Sequence, residues 1–303
     1  LKSSGKYLVV IAGPTAVGKT DVAIELAQHW KSEIISADSR QFYKEMSIGT
    51  AKPDQHQLDA VKHHFVGQLS IHDYYNVSMF EQEVLQLLEG LFINHDLVFM
   101  VGGSGLYIDA VCRGIDDFPD PKPELREYLK GIFLDEGIVR LQEMLLEMDP
   151  EYFKTVDINN PNRLLRALEV CHTTGRKFSD QRLNNFKNRN FGIIKLGLNL
   201  PRPDLFGRIE LRVDQMLEKG LVSEVNSLES FRHLNALNTV GYKEIFEFLD
   251  SKITLDQAVL NIKTNTRRYA KRQLTWFNRT DEYVWFDPSG LKEITGYLTE
   301  NCK

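Results

Sequence analysis

The stretch Gly13-Pro14-Thr15-Ala16-Val17-Gly18-Lys19-Thr20 fits the phosphate-loop pattern G-x-x-x-x-G-K-[ST]. An apolar run from Tyr7 to Ile11 precedes it as a buried strand does, and Ala23, Leu26, Ala27 and Trp30 follow at helical spacing. Strand, loop and helix are the context the pattern requires. Such a loop turns successive backbone N–H groups toward a phosphate chain at the positive end of a helix, Lys19 adds a point charge, and Thr20 offers a hydroxyl to Mg²⁺. A phosphorylated ligand is therefore expected at Gly13, Pro14, Thr15, Ala16, Val17, Gly18, Lys19 and Thr20, with Thr20 as the metal-facing residue. The pattern leaves open whether the phosphates are transferred, hydrolysed or discarded.

Outward from this loop, the first hundred residues alternate strand-like and helix-like segments, the signature of a parallel sheet with helices on its faces. Glu33 to Ser36 reads as a second strand that ends at Ala37-Asp38-Ser39-Arg40-Gln41. Ser78 to Leu91 has helical spacing, and the apolar run Leu97 to Val101 leads into Gly102-Gly103-Ser104-Gly105. Ligands on open α/β sheets bind at the carboxyl ends of the strands, so three loops are expected to build one site. Between about Asp116 and Gly192 no strand pattern occurs; the proline cluster Pro119 to Pro123 reads as a hinge, followed by helical patterns such as Leu125 to Phe133. A strand returns at Ile193 to Leu198, a helix at Pro203 to Leu217, and a short edge strand at Tyr283 to Phe286. The expected fold class is α/β, a P-loop NTPase-like core of parallel sheet flanked by helices over residues 1–115 and 193–303. An inserted all-helical module is expected over 116–192.

At 303 residues, with 42% hydrophobic and 26% charged content, the chain is ordinary globular material. Its three cysteines, Cys112, Cys171 and Cys302, lie far apart and suggest neither a disulfide framework nor a zinc site, so a reducing cytoplasm is expected. No targeting signal or membrane span is read, although the sequence lacks an initiator methionine. The net charge of −5 hides a local reversal: from Gln257 to Thr280 there are Lys263, Arg267, Arg268, Lys271, Arg272 and Arg279 and no acid. With Tyr269, Trp276 and Phe277 interleaved, this stripe suits an external polyanion by counterion release and stacking. A basic helix face lying on the acidic remainder of the protein would read the same way.

Several residues could carry chemistry. Asp38, two residues beyond a strand end, could accept a proton or help hold Mg²⁺, or serve only as a helix N-cap. The strand Leu97 to Val101 runs into glycines where a triphosphate hydrolase carries its metal-holding acid, which counts against an ATPase. Arg208 and Arg212, four apart on one helix, could clamp a diphosphate or form a solvated face with Glu210 and Asp214. His63 and His64 are adjacent, so on a strand they point to opposite faces and suit structural or capping roles better than shared metal ligation.

Taken in order, GPTAVGKT, Ile35 to Pro53 (ISADSRQFYKEMSIGTAKP), His63-His64, Val101 to Tyr107 (VGGSGLY), Asn160 to Val170 (NPNRLLRALEV), Arg208 to Leu217 (RIELRVDQML), Val240 to Ile245 (VGYKEI) and Thr266 to Phe277 (TRRYAKRQLTWF) resemble the bacterial tRNA dimethylallyltransferases, also called tRNA isopentenyltransferases. The resemblance implies transfer of a dimethylallyl group from dimethylallyl diphosphate, with Mg²⁺, to the exocyclic amine of the adenosine 3′-adjacent to a tRNA anticodon. It implies Asp38 as general base, and Thr15, Lys19, Thr20 and Arg208 as groups that stabilise the departing diphosphate. It further implies tRNA contacts at Asp38, Ser39, Arg40, Gln41, Ser104, Arg126, Asn162, Arg163, Leu164, Leu165, Arg166, Asn238, Thr239, Val240, Gly241, Tyr242 and Lys243, besides the stripe of Arg267, Arg268, Lys271 and Arg272. The helical module would grip the anticodon stem-loop of one tRNA per monomer while the target base flips into the core. Two departures stand out: Ser104 replaces the usual threonine, and Lys62 replaces a common proline before His63. The zinc-finger extension of eukaryotic relatives is not expected. Competing readings are a P-loop kinase of a nucleoside or metabolite, an isopentenyltransferase acting on free adenine nucleotide, and a non-catalytic RNA-binding protein; the basic stripe and the joint presence of Asp38 and Thr15 favour tRNA prenylation.

Overall fold

The computed structural model describes residues 5–116, 118–120, 122–182 and 186–302. The chain divides into two compact units, one formed by Leu1–Arg113 with Asn188–Lys303 and the other by Gly114–Lys187. The first unit opens with β1 (Tyr7–Ala12), α1 (Lys19–His29), β2 (Ile34–Ser36), α2 (Gln55–Ala60), β3 (His63–His64), α3 (Val77–Asn94), β4 (Leu97–Gly102) and α4 (Gly105–Arg113). The second unit contributes α5 (Pro123–Met148), α6 (Pro150–Phe153), α7 (Pro161–Thr174) and α8 (Phe178–Gln181). The first then resumes with β5 (Gly192–Leu198), α9 (Arg202–Glu218), α10 (Leu221–Ser227), α11 (Tyr242–Leu249), α12 (Leu255–Phe277), β6 (Tyr283–Phe286) and α13 (Leu291–Asn301).

The six strands form one sheet in the order β3-β2-β4-β1-β5-β6, and every pairing is parallel. Parallel sheets are covered on both faces, and β1 shows why its sequence is a continuous apolar run. Val9 and Ile11 pack on one face with Phe99, Leu196, Leu26 and Leu205, while Leu8 and Val10 pack on the other with Met100, Phe80 and Val84. The residues from Leu8 to Ala12 are fully buried, so a large-to-small change there costs about 2–5 kcal/mol. In register, Val9 lies between Phe99 of β4 and Ile194 of β5, which places the ends of β1 and β4 side by side. The phosphate loop and the glycine loop therefore emerge as neighbours. A third apolar cluster, with Met46, Tyr43, Val213, Leu221, Tyr242, Ile245 and Ile262, joins the segment after β2 to helices α9 to α12.

In the second unit, Leu129, Leu141 and Leu145 of α5 pack on Leu164 and Leu168 of α7. The helical stretch expected from Leu125 to Phe133 extends much further, and Gly137 at φ 80° breaks it. Asn160 caps α7 by accepting the Arg163 N–H, and Gly175 ends it in the left-handed conformation. The unit ends at Lys187, before the expected limit of 192. The reason lies in Arg189, which donates to the Val111 and Ala110 carbonyls and pairs with the Glu81 carboxylate at 2.8 Å, all within the first unit.

Candidate active site

A cleft of about 600 Å³ opens at the carboxyl ends of β1, β2 and β4. Thr15, Lys19 and Thr20 line one side, Asp38 and Gln41 another, and Arg212 of α9 and Gln273 of α12 reach in from elsewhere in the chain. The phosphate loop is internally braced: the Lys19 ammonium donates to the Pro14 carbonyl at 2.8 Å, and the Val17 N–H donates to the same oxygen. Burial, reinforced by the Arg212 guanidinium and opposed by Asp38, brings the Lys19 pKa down to about 7. Two cations thus share a confined space that lacks sufficient anion. That imbalance suits a polyanionic ligand.

Gln273 closes the site across a long sequence separation. Its Oε1 accepts the Thr15 N–H at 2.8 Å, and its Nε2 donates to the Gly103 carbonyl at 3.0 Å. The buried amide therefore ties the phosphate loop to the glycine loop after β4. That loop must be glycine for steric reasons: a Cβ on Gly103 would stand 2.0 Å from Gln273 Nε2, and one on Gly102 would stand 2.1 Å from the Ala37 carbonyl oxygen. The second contact draws the β4 end against Ala37, just before Asp38.

The Asp38 carboxylate accepts the Arg40 N–H through Oδ1 at 3.1 Å, and its Oδ2 has no protein partner among the described residues. Ser39 and Ser104 meet beside it, with Ser104 Oγ accepting the Ser39 N–H at 3.0 Å. The hydroxyl that Ser104 retains is the part used here. Tyr269 lies close enough to feel the Asp38 charge, and burial together with that charge keeps its phenol protonated well above the ordinary range.

Arg208 and Arg212 reach the phosphate loop at different points. Arg208 Nη1 donates to the Val17 carbonyl at 3.1 Å and stands 3.3 Å from where a Cβ on Gly18 would be, and Arg208 is not among the residues that line the cleft. Arg212, one turn further along α9, lines it and donates from Nη1 to Thr15 Oγ1 at 3.0 Å. Helical spacing puts both on one side of α9; only the packing of that helix decides which of the two reaches the ligand side.

The sequence and the solved structures of other proteins agree on what this site belongs to. The IPP transferase family model matches residues 41–280. The chain belongs to the IPP transferase family. It is 51% identical over 293 residues to the tRNA dimethylallyltransferase of Christiangramia forsetii, covering 96% of this chain and 97% of that one. It is 47% identical over 300 residues to tRNA dimethylallyltransferase 1 of Bacteroides fragilis, covering 99% of this chain and 100% of the relative. The crystal structure of the full-length tRNA isopentenylpyrophosphate transferase of Bacillus halodurans superposes with a TM-score of 0.72 at 34% identity, covering 98% of this chain and 97% of that chain. A eukaryotic dimethylallyltransferase solved acting on tRNA gives 0.76 at 27% identity, covering 93% and 74% respectively.

For an IPP transferase, several residues expected at an RNA surface are otherwise engaged in this chain. Tyr242 is fully buried and its hydroxyl donates to Glu224, and Leu164 is a core residue of the helical unit, so neither side chain is presented to a ligand. Arg126 spends its guanidinium on a two-pronged contact with Glu169, which Arg166 also approaches at 3.6 Å. Gln41 donates to the Thr50 and Ala51 carbonyls, and Arg40 to those of Asn235 and Asn238. Asn162, Arg163, Asn238 and Lys243 are exposed, while Leu165, Thr239 and Val240 are half-buried and Gly241 is buried. The basic stripe also divides. Lys263 pairs with Asp214 and Arg267 with Glu210, because α9 brings carboxylates that the local sequence lacks. Arg268, Lys271 and Arg272 remain exposed and, among the described residues, form no ion pair.

His64 forms a close contact with Glu33 at 2.5 Å, while His63 lines the cleft with Nδ1 on the Val61 carbonyl. No cluster of three or more His, Cys, Asp or Glu suited to a metal occurs among the described residues. Mg²⁺ commonly binds through one or two protein oxygens together with substrate phosphates and waters. Thr20 and Asp38 both line the cleft and could serve in that way. No helix of the described residues is long and apolar enough to cross a membrane.

Proposed function

We propose that this chain transfers a dimethylallyl group from dimethylallyl diphosphate to the exocyclic amine of the adenosine on the 3′ side of the tRNA anticodon. The observation that carries the reading is a phosphate loop facing the Asp38 carboxylate across one cleft, in a member of a family of prenyl transferases. In the reaction the allylic C–O bond breaks and its electron pair leaves with the diphosphate. The adenine amine forms the new C–N bond and gives up one proton, for which Asp38 is the acceptor. The amine lone pair is delocalised into the ring, so removing its proton as the bond forms is where a carboxylate helps most. The Arg40 N–H holds one carboxylate oxygen, leaving the other to take the proton.

Charge grows on the departing diphosphate as the C–O bond lengthens, and groups aimed at that charge accelerate the step. Lys19, Arg212 and the N–H groups of the phosphate loop supply them, with Thr15 positioned by Arg212 and Gln273. Arg208 acts on the loop through the Val17 carbonyl. Mg²⁺, held by Thr20 and the diphosphate, would add positive charge to the leaving group. Exposed Arg268, Lys271 and Arg272 supply phosphate contacts for the RNA, and Asn162 and Arg163 of the helical unit supply more. The reading takes the chain to act as a monomer, and tRNA as acceptor supports a cytoplasmic setting.

The test is an acceptor competition with radiolabelled dimethylallyl diphosphate and Mg²⁺. Label should enter unmodified tRNA and not adenosine monophosphate. Label in the mononucleotide alone would overturn the choice of acceptor, and phosphorylation of a metabolite by ATP would overturn the reaction class.

A further inference from the structure

The far wall of the cleft is a turn whose shape is set by one carboxylate outside the reacting region. Residues Ser47, Ile48, Thr50, Ala51 and Lys52 line the cleft opposite the phosphate loop. The backbone N–H groups of Ser47, Ile48 and Gly49 all donate to Glu224 of α10, at 3.0, 2.7 and 2.9 Å. The Tyr242 hydroxyl donates to the same carboxylate at 2.6 Å. A carboxylate taking four donors from its own chain has no capacity to spare for a ligand, so its effect on the cleft must pass through the turn.

The turn fits this clamp closely. A Cβ on Gly49 would stand 2.5 Å from the Tyr242 ring, so the ring packs directly on the turn backbone. Ala51 holds φ 48°, a left-handed conformation that costs about 1 kcal/mol for a residue with a side chain and must be held by its surroundings. Gln41 holds the opposite side through the Thr50 and Ala51 carbonyls. The result is a wall pinned from α10 and α11 on one side and from the Asp38 loop on the other. Its apolar members Ile48 and Ala51 share the cleft with Met216, Leu58 and Ile34; Lys52 of the wall also lines it, with its ammonium donating to the Tyr43 carbonyl at 2.7 Å, and Lys219 lines it as well. An allylic diphosphate has an anionic end suited to the phosphate loop and a small apolar end suited to side chains such as Ile48, Ala51 and Met216.

We propose that Glu224 and Tyr242 are positioning residues that fix the Ser47–Lys52 wall and through it limit the size of the allylic chain the cleft accepts. The inference rests on the prenyl-transfer reading. Loosening the clamp weakens retention of the five-carbon donor and admits longer chains, without altering the phosphate loop or Asp38.

The test compares wild type with Glu224→Gln and with Tyr242→Phe, which removes only a hydroxyl. Amide hydrogen exchange at Ser47, Ile48 and Gly49 reads the clamp without reference to activity, and steady-state kinetics with dimethylallyl and geranyl diphosphate read its consequence. Because a hydrogen bond to a charged group is worth more than a neutral one, the expected result is roughly a tenfold rise in KM for dimethylallyl diphosphate, with kcat changed less than about threefold. The preference for the five-carbon over the ten-carbon donor falls by a similar factor, and exchange at the three amides accelerates. Exchange and donor preference both unchanged in the two variants would overturn the proposal, as would faster exchange with the preference intact. A wild-type protein that transfers neither donor would instead refute the prenyl-transfer reading on which the proposal rests, and the exchange data would still report on the clamp.

Discussion

Binding of an allylic diphosphate should draw a proton onto Lys19. In the free protein, burial and the neighbouring Arg212 hold that ammonium's pKa near 7, against an ordinary value of 10.5. A bound diphosphate supplies the missing counter-charge and returns the pKa toward its ordinary range. From a free-state pKa of about 7, the uptake should be about 0.9 proton at about pH 8 and only about 0.1 at about pH 6. The donor dissociation constant should therefore rise by nearly tenfold per pH unit above about 7 and change little below it. Isothermal titration with a non-reactive bisphosphonate analogue, in buffers of different ionisation enthalpy, counts these protons. Subtracting the Lys19→Met variant removes those the ligand itself exchanges. Equal uptake by wild type and Lys19→Met at about pH 8 would refute the reasoning. The same shift carries a stability consequence of defined sign. Because the folded pKa lies below the unfolded one, the unfolded chain binds more protons between about 7 and 10.5, so the ligand-free protein gains stability as pH rises through that window.

Replacing Asp38 by alanine should leave tRNA affinity nearly intact and slow transfer by about two to four orders of magnitude, measured in single turnover with saturating tRNA; an unchanged rate would remove Asp38 from proton transfer. Arg212→Ala should lower kcat/KM for the donor by about a hundredfold or more, while Arg208→Ala, acting only through the Val17 carbonyl, should lose about tenfold. The reverse ranking would restore Arg208 to the ligand side. Gln273→Leu should loosen the phosphate loop and raise the donor KM, whereas tRNA affinity read by filter binding should hold. Neutralising Arg268, Lys271 and Arg272 together should reduce the slope of log affinity for tRNA against log salt by about two to three. A wild-type slope would return that face to a purely solvated role.

How much of this site could be read from sequence follows from the range over which each part is determined. The phosphate loop is legible because strand, loop and helix are contiguous, and the parallel sheet because its buried strands are continuous apolar runs. Asp38 is legible for a related reason: it follows a strand whose neighbour in the sheet is fixed by topology. Gln273 is not, since its partners Thr15 and Gly103 lie 258 and 170 residues away and an isolated glutamine in a basic helix gives no signal. The choice between Arg208 and Arg212 is lost because they share a helix side, and the rotation of α9 is a tertiary matter. Tyr242 differs in the opposite direction: the family resemblance places it in a tRNA-contacting segment, yet its ring fills the core and its hydroxyl donates to Glu224. The acids that neutralise Lys263 and Arg267 arrive from α9, so charge counted along one segment overstates the basic face.

The central claim is that the phosphate loop holds a leaving group while an RNA base captures the carbon skeleton. The most direct measurement follows both products of one incubation of wild-type protein with dimethylallyl diphosphate, Mg²⁺ and unmodified tRNA. Diphosphate release is quantified beside nucleoside analysis of the digested RNA. The account requires one diphosphate freed for each adenosine that gains a dimethylallyl group on its exocyclic nitrogen, with no dependence on ATP. Diphosphate freed without alkylated RNA, or nucleotide triphosphate consumed in its place, would contradict it.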